Sequence, residues 1–126
     1  MNNSENQNFI RQYLKSIIWA LIILYLSLFN INDNETLKEL LFPYSDKIAH
    51  LGVYGIFTLL LLKDHTKKGK QLLPLIIPIL YGILMEFLQY SLTEYRSMEM
   101  LDILANTIGA LSAWLIYRKI INPAPL

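Results

Sequence analysis

QLLPLIIPILYGILMEFLQYS, residues 71–91, is the stretch that decides the fold of this chain. A helix needs approximately 20 apolar residues to cross the hydrocarbon of a bilayer, and this run supplies them. Eleven Leu, Ile or Phe residues lie between Leu72 and Leu88. At about 0.3 to 0.6 kcal/mol each they favour insertion by roughly 3 to 7 kcal/mol, which offsets the about 2.5 to 3.5 kcal/mol that a carboxylate such as Glu86 costs at a span centre. Pro74 falls in the first turn, where its missing N–H is harmless, whereas Pro78 is expected to kink the helix. Both lie in the half of the run away from Glu86.

Three more apolar runs flank it, at 13–31, 47–62 and 101–121. The run at 47–62 is the shortest and should stand nearly upright. Apolar residues make up 54% of the chain and charged residues 17%, and almost all the charge lies between the runs. The expected fold is therefore all-α, a membrane bundle of four antiparallel transmembrane helices forming one domain over residues 1–126. Residues 1–12, with the polar segment 2–8, read as a disordered tail. No cysteine is present, which excludes disulfides, thiol-linked haem and cysteine nucleophiles.

The net charge of +1 says little, but its distribution says more. Arg11, Lys15, Lys63, Lys67, Lys68, Lys70, Arg118 and Lys119 fall on one side of the expected spans, against Lys38, Lys47 and Arg96 on the other. The positive-inside bias then places both termini and the middle loop in the cytoplasm. Arg11 and Lys15 before an apolar stretch resemble the start of a signal peptide. Ser27 and Phe29 make a poor cleavage site, however, and three spans follow, so the first run reads as an uncleaved anchor. The basic loop 63–70 is expected to touch anionic headgroups, with His65 a solvated loop histidine. In the first outer loop Asn32, Asp33 or Asn34 could cap a short surface helix through Glu39, ended by Pro43.

Depth organises the remaining polar residues. Asp46, His50 and Tyr54 recur every four residues along the second run, with Lys47 beside His50. Glu86 and Gln89 sit three apart near the outer end of the third run, and Asp102 and Asn106 four apart at the start of the fourth. At roughly 1.5 Å per residue, these three helices bring their polar groups to one level near the outer face. Ala105, Gly109 and Ala113 also recur every four residues, which lets a neighbouring helix, or a second copy in a homo-oligomer, approach beside that stripe.

Several readings fit this level. Glu86 could pair with Lys47 or Arg96, and Asp102 with His50, in a charge network that only locks a scaffold together. A pocket open to the outer face could instead bind a ligand through Asp46, Lys47, His50, Tyr54, Glu86, Gln89, Arg96, Asp102 and Asn106. A metal held by Asp46, His50, Glu86 and Asp102 is chemically feasible, but the ligand spacing matches no recognised signature, so no metal and no cofactor is assigned. Trp19, Trp114, Tyr25, Tyr81 and Tyr117 read as packing residues or interface anchors.

From Asp46 to Gly109 the chain resembles the VanZ-like family of small bacterial membrane proteins. The matching elements are Asp46-Lys47-x-x-His50 with Tyr54, then Gly82-x-x-x-Glu86-x-x-Gln89, then Arg96, then Asp102-x-x-x-Asn106-x-x-Gly109. The family pattern often carries a glycine or proline shortly before the arginine, whereas residues 91–95 here read SLTEY. The resemblance implies a bacterial cytoplasmic membrane and a family named for low-level resistance to teicoplanin, a lipoglycopeptide.

Function then divides into classes. A transporter or proton channel needs ionisable groups along its path, yet the cytoplasmic halves of the runs offer only Ser16, Thr58, Ser112 and Tyr117. An enzyme acting on a lipid-linked envelope substrate would use Glu86 or Asp102 as general base and His50 as acid or base, with Lys47 and Arg96 holding phosphate or carboxylate. Among Ser45, Ser91, Thr93, Ser97 and Thr107 no nucleophile stands out. A binding module for a lipid-linked wall precursor or a lipoglycopeptide needs only the polar level within an apolar surround. The bilayer itself is the other partner, and no nucleic acid is expected.

Overall fold

The computed structural model describes residues 2–28, 44–65, 71–92, 97–121 and 123. They are helical almost throughout and contain no strand. Four helices are long and apolar enough to cross a membrane. They are α1 (Asn3–Leu28), α2 (Ser45–Asp64), α3 (Leu73–Leu92) and α4 (Met100–Ile116), the last continuing into a π-helical turn, Tyr117–Ile121. The short helix expected before Pro43 lies outside the described residues, as does most of the basic loop.

α1 begins inside the segment 1–12 that polar composition reads as a disordered tail. The helix starts at Asn3, well before the apolar run. Asn2 O accepts hydrogen bonds from the N–H groups of Glu5 and Asn6, which closes the first turn. Phe9 packs on Tyr13 one turn on, with ring centroids 4.8 Å apart, and Gln12 donates to the Asp64 carbonyl at 2.7 Å. Polar composition alone does not register such pairs at i and i+4, nor a contact with a distant helix end.

Apolar and polar side chains are distributed as a bilayer demands. Leu21, Leu80 and Leu104 are among many large aliphatic residues on the surface, while Glu86, Asp102, Asn106, Thr58 and Ser16 are buried. In water this arrangement would be unfavourable; in lipid, polar groups must find partners inside the bundle. The apolar core is small. Ile23, Tyr54, Phe57, Leu61 and Met85 form it, and Tyr81 meets Phe57 edge-on at 5.5 Å.

Side-chain donors that reach backbone carbonyls on other helices set the register. Trp19 Nε1 donates to Val53 O at 3.0 Å, Tyr81 OH to Ala20 O at 2.6 Å and Gln89 Nε2 to Ser27 O at 2.8 Å. Trp114 Nε1 donates to Gln71 O at 2.9 Å, and its ring carries the Arg118 guanidinium at 4.7 Å. Trp19, Tyr81 and Trp114 are therefore packing residues whose polar tips are satisfied, as their type predicts.

His65 departs from the expectation of a solvated loop histidine. It is half-buried at the end of α2, its Nδ1 lies 2.9 Å from the Tyr13 hydroxyl, and its Nε2 is buried without a partner among the described residues. Next to it Asp64 Oδ2 accepts from the Ser16 hydroxyl at 2.7 Å. This cluster ties the start of α1 to the end of α2. An apolar groove of about 450 Å³ opens beside it, lined by Tyr13, Phe57, Leu61, Pro74 and Tyr81.

The most extensive packing is between α2 and α4. Ala105, Gly109, Ala110 and Ala113 are all buried, and Gly55 of α2 faces Gly109 and Ala113. The small-residue stripe thus serves packing within the chain, and it brings the first turns of α2 and α4 together.

Candidate functional site

The site grows from that pairing. The first turns of α2 carry Asp46, Lys47 and His50, and the first turns of α4 carry Asp102 and Asn106 at the same height. Lys47 Nζ donates to Asp102 Oδ1 and to Glu99 Oε2, and lies 2.9 Å from Asp46 Oδ2. The three donors of the ammonium are thereby matched by three carboxylates. Asp46 and Glu99 are exposed at the rim, whereas Asp102 is buried. One turn deeper, His50 Nδ1 meets Asn106 Oδ1 at 2.9 Å, while His50 Nε2 stands 3.6 Å from Asp102 Oδ2.

α3 closes the level. Glu86 is 2% exposed and engaged in further polar interactions, and one of its oxygens shares a 4.8 Å cluster with His50 and Asp102. Gln89 lies one turn outward and ties α3 to α1 through Ser27. Tyr54, one helical turn after His50, is buried in the apolar core, and its ring lies against α3 at Gly82. Arg96, expected to hold an anion, lies outside the described residues.

Of the residues read from sequence, the structure brings together Asp46, Lys47, His50, Glu86, Asp102 and Asn106. The expected contact of Asp102 with His50 is present at 3.6 Å, and two unexpected ones join it, Lys47 to Asp102 and His50 to Asn106. The expected pairing of Glu86 with Arg96 lies outside the described residues. Lys47 is also committed to carboxylates and does not present an open charge to an anion. Glu99 was missed. Its only signal is an acidic residue three positions before Asp102, which places both on one face of the helix start. Thr107 leaves the list of nucleophiles, since its hydroxyl donates to Ile103 O at 2.8 Å.

Gly82 is the hinge of this packing. A Cβ at that position would sit 2.9 Å from Asn106 Nδ2, 3.1 Å from Tyr54 Cε1 and 3.2 Å from Asn106 Cβ. Gly82→Ala is therefore expected to push Asn106 off His50 and to cost about 1–3 kcal/mol through overpacking. A thermal-denaturation midpoint equal to that of the native protein would show that the level repacks freely.

Together these features define a multi-pass helical membrane protein with a buried layer of acids, amides and one imidazole at one end of the bundle. The chain belongs to the VanZ/LLP1 family, whose family profile matches residues 2–122. No curated protein matches it, and no solved structure does.

Proposed function

We propose that the polar level faces the outside of a bacterial cytoplasmic membrane, with both termini inside. There it binds the head of a lipid-linked or envelope ligand, with low-level resistance to teicoplanin as the phenotype. The observation that carries this reading is the burial of Glu86, Gln89, Asp102 and Asn106 on two helices that otherwise present aliphatic residues to lipid. Groups so costly in a membrane are kept where they hold a ligand or one another. The excess of Lys and Arg around the other end supports the orientation.

An enzymatic reading draws on the nearness of His50 to Asp102 and Glu86, an imidazole beside two carboxylates that could exchange a proton with a lipid-linked substrate. The saturated coordination of Lys47 equally favours a structural lock. One experiment separates ligand binding from the lock. Minimal inhibitory concentrations of teicoplanin and vancomycin are measured for a susceptible bacterium making the native protein or Glu86→Gln at matched membrane abundance. Selective protection against teicoplanin that Glu86→Gln abolishes is the expected result. Protection that survives Glu86→Gln removes Glu86 from the function. No protection by either form refutes the teicoplanin assignment.

A further inference from the structure

His50, Glu86 and Asp102 stand on three different helices, yet one ligating atom of each lies within 4.8 Å of the others. Asp102 divides its two oxygens, giving Oδ1 to Lys47 and turning Oδ2 towards His50 Nε2 at 3.6 Å. That distance is too long for a hydrogen bond. It is close to the about 3.3 Å between two ligands of a tetrahedral ion bound at about 2.0–2.1 Å.

The surroundings of the three groups point the same way. Asn106 Oδ1 can only accept, so its contact at 2.9 Å puts the proton of His50 on Nδ1 and leaves Nε2 as the nitrogen that faces the carboxylates. Lys47 does for Asp102 what Asn106 does for His50, fixing one atom and freeing the other. Asn106 is itself 1% exposed, and its Nδ2, which faces α3 at Gly82 one turn from Glu86, has no acceptor among the described residues. A water or ligand oxygen completing the shell of an ion held by three protein groups would provide an acceptor at that level.

We propose that His50 Nε2, Glu86 and Asp102 Oδ2 bind one divalent transition-metal ion, with Asn106 and Lys47 positioning two of the ligands. One imidazole and two carboxylates suit Zn2+ or Mn2+ better than Ca2+ or Mg2+, which favour all-oxygen shells. The second acidic group, Asp46, Glu99 and Asp102, is the poorer site because the Lys47 ammonium sits among its oxygens. The inference does not depend on what else the level binds.

The test uses the full chain, purified in detergent and stripped with a chelator, then titrated with Mn2+ while free Mn2+ is followed by electron paramagnetic resonance. One saturable ion per chain, displaced by Zn2+, is expected, with nitrogen coupling in the spin-echo modulation of the bound ion. The coupling should persist in His65→Ala and disappear in His50→Ala. Removing the positioning amide with Asn106→Ala should weaken binding by about tenfold or more. Glu99→Gln should leave affinity little changed. No saturable ion in the native protein, a bound ion without nitrogen coupling, or an ion lost with Glu99→Gln but kept with His50→Ala would each overturn the proposal. Should His50→Ala fail to fold, the native protein and His65→Ala still decide it.

Discussion

Gly109→Ala is expected to abolish the folded bundle. A Cβ there would press into the carbonyl oxygen of Leu51, and would stand only 2.9 Å from its carbonyl carbon and 3.0 Å from its Cα. All three atoms are helix backbone, so no rotamer change relieves the clash and α2 must move as a body. Overpacking a core costs about 1–3 kcal/mol where side chains can yield, and more where they cannot. A domain stabilised by only about 5–15 kcal/mol tolerates little of this. The loss is compounded because α2 and α4 make the main contact and carry the polar level between them. Gly52→Ala is the control, since nothing lies within 4 Å of its Cβ position. Gly55→Ala, at 3.4 Å from Gly109 O, should fall between the two. Fluorescence-detected size exclusion and unfolding by increasing SDS would measure all three. Equal midpoints for Gly109→Ala and Gly52→Ala would mean that α2 and α4 separate at no cost.

That clash shows what a sequence can reveal of such a fold. The spacing of Ala105, Gly109 and Ala113 announces a close approach, because small residues every four positions form one face whatever the partner. Which helix approaches is not encoded in the spacing, and the bundle answers with α2. The spans were legible because apolar runs of bilayer length have few alternative readings. Their ends were not, since α1 gains its first turns from the Phe9–Tyr13 pair and from Gln12 reaching Asp64, contacts that composition does not register. The polar level was legible as a depth, from the i and i+4 spacing of Asp46, His50, Asp102 and Asn106. Its full pairing was not, because Lys47 reaches Glu99 and Asp102 only at one rotation of α4, and that rotation is set by distant contacts such as Gly109 against Leu51 and Trp114 against Gln71. His65 shows the same limit, for its partner Tyr13 is distant in sequence.

Lys47→Met should be the most damaging side-chain deletion at the polar level, and its cost should reside in Asp102. Methionine matches the apolar stem of lysine as far as Cε, so packing is nearly preserved and the ammonium alone is lost. Asp46 and Glu99 can then turn to water, their side chains being 60% and 52% exposed, and exposed pairs of this kind contribute about 0–1 kcal/mol each. Asp102 cannot, because its side chain is only 10% exposed and its Oδ1 loses its donor. Breaking one side of a buried pair costs about 3–5 kcal/mol, most of it the penalty of the charge left behind. Two comparisons follow for unfolding midpoints measured in chelator. Glu99→Gln should cost far less than Lys47→Met although both remove a bond to the same ammonium. Adding Asp102→Asn to Lys47→Met should recover much of the loss, because a neutral amide no longer needs the lysine. If the double variant is instead less stable than Lys47→Met by the full cost of Asp102→Asn alone, the two residues are energetically independent. The contact between Lys47 and Asp102 would then hold nothing together.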